Sequence, residues 1–202
     1  MTRVYVLRHG NTFDPGDTIL RVGALTDLHL SSSGRDQASA LAVYFKTKGV
    51  SFQAVMCSPL LRARQTLEPI VQMLRYRGGV EITDFLTEID YGPDEGQPED
   101  DVIARIGAEA LNAWEAHSIV PDGWKVDCDG LRSAWREQLS AIAARCPKGP
   151  VLIVTSNGIA RFALDIAKNG ADWPRKLRTA AFGCLDIGAD SAVRVEAWNV
   201  RP

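Results

Sequence analysis

The stretch RVYVLRHGNT, residues 3–12, decides how the whole chain is read. Val4 to Leu7 form a short apolar run rich in β-branched side chains, which predicts a buried strand. The run ends on Arg8, His9 and Gly10. Two ionisable side chains at the carboxyl end of a buried strand stand where open α/β sheets gather their ligands.

Outward from this point, strand and helix alternate. SSGRDQASALAVYFKTKG spaces its apolar residues as a helix, opened by serine caps and closed by Gly49. FQAVMCS predicts a second strand, LLRARQTLEPIVQMLRYRGG a second helix and VEITDF a third strand. Further on, LRSAWREQLSAIAARC reads as a helix, PVLIVT as a strand, and GIARFALDIAKNG as one helix ending at Gly170. The final AAFGCLDIGADSAVRVEAWN alternates about a Gly-Ala-Asp-Ser turn, as a closing pair of strands does. This rhythm predicts an α/β three-layer sandwich, a mostly parallel sheet with helices on both faces. At 202 residues the expectation is a single domain, residues 1–202.

One segment breaks the rhythm. Between Gly92 and Gly130 ten acidic residues face only Arg105 and Lys125. Its centre, EDDVIARIGAEALNAWEAH, has helical spacing and an acidic first turn that suits the helix dipole. Such an insertion, at about 92–130, is expected to be an acidic cap or lid over the site, a solvated surface excursion being the plainer alternative.

The gross quantities exclude several function classes. Lys plus Arg is 23 and Asp plus Glu 25, a net charge of -2, so no global field draws nucleic acid or an acidic membrane. No apolar run approaches the roughly 20 residues of a membrane span, and the amino terminus enters a strand without a secretory pattern. Four cysteines without a CxxC pair suggest reduced thiols, and the expected location is the cytoplasm. Three scattered histidines offer no ligand spacing, so the chemistry is expected to be metal-independent and free of cofactors. Oligomeric state has no sequence signal.

Three strand-to-helix turns stand out: LRHGNT, CSPLLRARQT and VTSNGIAR. Arginine's planar fork matches the oxygens of a phosphate, helix starts add N–H groups, and a neutral imidazole can attack phosphorus. A hydrogen bond from Nδ1–H of His9 to a backbone carbonyl would leave Nε2 free for that attack. Arg64, two positions from Arg62, cannot share its helical face and reads as an exposed charge. His29 and His117 read as surface or rim residues. The five tryptophans are mostly core candidates, with Trp114 and Trp124 placed to touch an apolar leaving group.

These motifs resemble the histidine phosphatase superfamily, also called phosphoglycerate mutase-like. Its strand ending in Arg-His-Gly is similar to Leu7-Arg8-His9-Gly10. LTDLHLSSSGRDQA, SPLLRARQT and LTEIDYGPDEG are similar to three further motifs of the family, in order up to Gly96. The resemblance implies that His9 accepts the phosphoryl group, Arg8 and Arg62 clamp it, and Glu88 protonates the departing oxygen. It also implies that Asn11 and Thr12 line the pocket.

The third turn departs from the family pattern. Where members carry a second histidine, this chain has Ser156, followed by Asn157; both can give neutral hydrogen bonds to phosphate, but neither brings a cation. Trp124, in PDGWKVD, stands where a glutamate is expected. Two readings follow. The first is a phosphatase that hydrolyses a small-molecule phosphomonoester through a phosphohistidine at His9, with reduced or altered activity. The alternative is a catalytically impaired phosphate-binding or regulatory relative. A mutase is disfavoured, because the insertion is acidic and the chain stops directly after its last strand. Repulsion from the acidic cap favours a neutral or cationic remainder on the substrate, unless Arg105, Lys125 or the run Arg175, Lys176, Arg178 lies at the rim.

Overall fold

The computed structural model of the protein describes residues 1–146 and 149–202. Its strands are β1 (Thr2–Arg8), β2 (Ala54–Cys57), β3 (Val80–Ile82), β4 (Val151–Thr155), β5 (Phe182–Ile187) and β6 (Val193–Val200). They form one sheet in the order β3-β2-β4-β1-β5-β6. β1, β2, β3 and β4 pair in parallel, while β5 runs antiparallel to both β1 and β6. The sheet is thus mixed, its parallel part built by strand-helix crossovers and its edge by the closing pair expected around Gly188 to Ser191.

The helices are α1 (Ser32–Thr47), α2 (Leu61–Met73), α3 (Glu99–Ile106), α4 (Ala108–His117), α5 (Cys128–Arg145), α6 (Asn157–Ala160) and α7 (Phe162–Asp165). Side-chain alternation along β4 explains the two layers. Val151 and Ile153 point into a core shared with Trp135, Leu139 and Phe162, whereas Leu152 and Val154 point into one shared with Leu41, Phe45 and Ile70. Helices cover both faces, so β4 is buried throughout.

Two helical readings are revised. The segment expected as one helix from Gly158 to Gly170 is two short helical turns, α6 and α7, and the chain then folds back until Gly170 lies against the Leu164 carbonyl. The centre of the insertion is likewise two helices, broken at Gly107, whose φ of 83° is a conformation that L side chains rarely adopt. The insertion is no detached flap. Val102, Trp114 and Trp124 are buried in the same core as Ile159 and Phe162. Among the described residues, no helix is long and apolar enough to cross a membrane.

β4 lies between β1 and β2, and this order positions the site. His9 N–H donates to the Thr155 carbonyl at 3.0 Å, and Ser58 N–H to the Val154 carbonyl at 2.9 Å. The ends of three strands that are distant in sequence are therefore stitched side by side.

Trp135 joins α5 to this arrangement. It is fully buried, stacks edge-on with Phe85 at 5.2 Å, and donates Nε1–H to the Ile159 carbonyl at 2.9 Å. Trp135→Ala opens a large cavity and strands that carbonyl, so a loss of about 3–5 kcal/mol is expected. Urea unfolding checks this; a midpoint close to wild type would show that α5 does not depend on the contact.

Candidate active site

The site grows from the end of β1. His9 is buried, with its backbone N–H on Thr155 and its carbonyl accepting Ala180 N–H at 3.0 Å. Its Nδ1 lies 2.7 Å from the Gly10 carbonyl, which selects the tautomer with hydrogen on Nδ1 and leaves Nε2 without one. Burial, then the nearby charges of Arg62 and Arg8, hold His9 well below the usual imidazole range; the Gly10 hydrogen bond opposes them without winning.

Arg62, on the first turn of α2, is fully buried. It donates Nε–H to His9 Nε2 at 3.3 Å, Nη1–H to the Thr26 carbonyl at 2.8 Å and Nη2–H to the Gly23 carbonyl at 3.0 Å. Glu95 fixes the loop that carries those carbonyls. Its Oε1 accepts from Gly23 N–H, Leu25 N–H and Thr26 Oγ1, and its Oε2 from Tyr91 N–H, at 2.9–3.1 Å. Glu95 is the last acidic residue of the LTEIDYGPDEG motif, but the sequence alone gave it no such task.

Glu88 is buried on the opposite side. Oε1 accepts Ile89 N–H at 2.9 Å, and Oε2 accepts Gly158 N–H at 3.1 Å. A Cβ at position 158 would come within 2.0 Å of Glu88 Oε1, so glycine is required for this approach. Asn11 accepts from Thr179 Oγ1 at 2.6 Å and donates to Ser33 Oγ at 3.1 Å. Asn157 Oδ1 accepts Leu177 N–H at 2.8 Å, and its Nδ2 has no partner among the described residues.

A cleft of about 620 Å³ opens over these groups. Arg8, His9, Asn11, Thr12, Glu88 and Asn157 line it. Arg62 and Ser156 do not; both are fully buried, and Ser156 Oγ has no hydrogen-bond partner. The serine lies behind the wall, and the neighbouring asparagine faces the cleft in its place. His29, His117 and Arg64 are exposed and lie outside the cleft. Trp114 and Trp124 are buried and do not reach it either, Trp124 being held by a 2.7 Å hydrogen bond from Nε1 to Asp94.

The insertion supplies one wall of the cleft through Glu99 and Glu115, but the expected repulsive cap is largely neutralised there. Glu99 pairs with Arg21, whose guanidinium also lies over the rings of Tyr91 and Trp124. Glu115 pairs at 2.8 Å with the fully buried Arg161, which sits over the Trp114 ring. The sequence held a signal for Arg161, a lone cation within the apolar run GIARFAL, but not the identity of its partner. Arg105 and Lys125 are tied to Asp94 and Asp90, away from the cleft, and Arg175 to Asp165; of the expected rim cations, Lys176 alone lines it.

A model of the histidine phosphatase superfamily, branch 1, matches residues 4–201, and the chain belongs to that superfamily. It is similar to the 2,3-bisphosphoglycerate-dependent phosphoglycerate mutases of Brucella anthropi and Mesorhizobium japonicum. Identity is 28% and 27% over 173 residues, covering 83% of this chain and 84% of each relative. A mycobacterial glucosyl-3-phosphoglycerate phosphatase in complex with VO3 superposes with a TM-score of 0.81 at 26% identity, covering 98% of both chains. The alpha-ribazole phosphatase of Shigella flexneri shares the fold, with a TM-score of 0.75 at 20% identity, covering 98% of this chain and 96% of that one. Phosphatases and mutases on this fold support an enzyme of phosphatase type.

The buried neutral imidazole makes stability depend on pH. Below about 6.5 the unfolded chain takes up a proton that folded His9 refuses, so this group's contribution falls as pH falls, by up to about 1.4 kcal/mol per unit, until the depressed folded value is reached. Urea unfolding of wild type and His9→Gln between pH 7.5 and 5 measures it. The stability of wild type relative to the variant should decline toward acid, and a constant difference would show that His9 titrates normally.

Proposed function

We propose that this superfamily member hydrolyses a small-molecule phosphomonoester through a phosphohistidine on His9 Nε2. The observation that carries the proposal is the 2.7 Å contact between His9 Nδ1 and the Gly10 carbonyl, which keeps the nucleophilic nitrogen unprotonated and fixes the ring plane. The phosphate sits against Arg8 and Arg62, with Asn11, Thr12 and the Nδ2 of Asn157 completing its donors. Arg62 Nε–H moves from His9 Nε2 to a phosphate oxygen as the ester binds, freeing the lone pair. Nε2 then attacks phosphorus, the P–O bond to the alcohol breaks, and Glu88 gives its proton to the departing oxygen. In the second half Glu88 takes a proton from water, the water oxygen attacks the phosphohistidine, and inorganic phosphate leaves with His9 neutral again.

The impaired, phosphate-binding reading has one observation in its favour. Ser156 brings no imidazole to the cleft, and its hydroxyl is turned into the wall. Loss of one transition-state donor typically costs about 10² to 10³ in rate, which leaves a slow enzyme.

Acid quench with a labelled aryl phosphate should trap an acid-labile phosphoenzyme, and His9→Ala should abolish it. Glu88→Gln should slow alkyl phosphates far more than the aryl ester, whose phenolate needs little protonation. Equal losses on both substrates would remove Glu88 as the acid, and an unlabelled wild type would favour the binding protein.

Ser156→His tests the missing donor. With His9 intact, kcat on the aryl phosphate should rise by roughly one to three orders of magnitude. Because Ser156 is fully buried, a thermal melt must accompany the assay. A folded variant without gain would mean that the site works around the serine.

A further inference from the structure

The loop 13–22 leaves the proposed phosphate pocket after Thr12 and returns to it at Gly23, whose carbonyl accepts Arg62 Nη2–H at 3.0 Å. Between these ends its backbone is braced. Arg21 N–H donates to the Gln97 carbonyl and Gly96 N–H to the Arg21 carbonyl, both at 2.8 Å, and Glu99 N–H donates to the Ile19 carbonyl at 2.9 Å. The segment that opens α3 therefore fixes the second half of the loop.

The charged side chains of the loop are engaged with protein groups. Asp14 accepts Ser32 and Ser33 N–H at the start of α1, at 3.0 Å each, Asp17 accepts Asp14 N–H at 2.7 Å, and Arg21 pairs with Glu99. Phe13, Pro15, Ile19, Leu20 and Val22 line the same cleft as His9. Pro15 and Ile19 are exposed and the others half-buried, so their hydrocarbon is accessible from the cleft. One exposed apolar side chain is ordinary on a protein surface. A group of them on a braced backbone, next to a few convergent polar side chains, is the composition of a site that takes the apolar part of a ligand.

We infer that the loop 13–22 receives a hydrocarbon part of the alcohol, so that the preferred substrates are phosphomonoesters of uncharged alcohols carrying an apolar portion of several carbons. The inference rests on the phosphatase reading for the position of the reacting phosphate. Because both ends of the loop adjoin that position, a chain leaving the ester oxygen can meet the apolar side chains without a long polar spacer. Trp114 and Trp124 are buried in the core and leave this contact to the loop.

The test uses n-alkyl phosphates from ethyl to hexyl, whose alcohols differ little in acidity, so that chain length changes burial and not the bond being broken. Wild-type kcat/KM should rise about two- to threefold per added methylene, below the roughly fourfold of complete burial because the loop covers one side of the chain. Ile19→Ser combined with Val22→Thr should flatten the series, and Ile19→Leu should keep it. Val43→Ser, at an equally exposed position of α1 outside the cleft, should leave the trend as in wild type. If no ester turns over, the phosphatase reading fails, and dissociation constants for n-alkylphosphonates of the same lengths decide the role of the loop by the same trend. Equal values from ethyl to hexyl in wild type, or a rise that survives the paired substitution in a protein whose thermal melt shows it folded, overturns the inference.

Discussion

The site depends on a guanidinium buried beside an imidazole. Among the described residues Arg62 has no ion-pair partner; its three hydrogen-bonded nitrogens meet two carbonyls and His9 Nε2. An unpaired buried cation is costly, and burial pulls Arg62 below its usual pKa range. The surrounding structure offsets this with oriented dipoles. Glu95 holds the Gly23–Thr26 loop so that its carbonyls face the arginine, and α2 anchors the residue from behind. Burial, with this charge beside it, keeps His9 from protonating easily, and in the proposed function the same guanidinium exchanges neutral partners for a phosphate oxygen.

Much of this was legible in the sequence because short motifs encode local requirements. The β-branched run before Arg8 specified β1, the alternating tail specified β5 and β6, and the control of the imidazole by a backbone carbonyl followed from what the chemistry needs. The less legible features are long-range. The insertion looked acidic because a chain shows its carboxylates but not their partners: Arg21 meets Glu99 across 78 positions and Arg161 meets Glu115 across 46. Helical spacing over GIARFALDIAKNG was real, but it could not reveal that the chain folds back against Leu164. Trp114 and Trp124 read as either core or contact residues, and packing against Tyr91 and Phe162 decides for the core.

The turn after β4 serves the cleft through its second and third residues, not its first. Ser156 retreats into the wall, yet the next two residues still serve the cleft. Asn157 faces it while its oxygen ties down Leu177, and Gly158 gives its N–H to Glu88. The Glu88 carboxylate is therefore positioned by the turn that follows β4. This coupling explains why the turn must keep its shape although it supplies no cation.

The cleft has an uneven charge distribution. Arg8 at the end of β1 brings positive charge to its lining and Arg62 on α2 lies buried behind it, while the end of β4 presents the neutral Asn157. Lys176, whose ammonium has no ion-pair partner among the described residues, adjoins a wall that Arg8, Asn11 and Asn157 themselves hold in place. The contacts that hold Arg8, Asn11 and Asn157 thus also hold the 177–179 wall. In the proposed scheme, recognition and chemistry share one hydrogen-bonded frame. Binding energy gathered along that wall would then serve to hold the ester in line with His9.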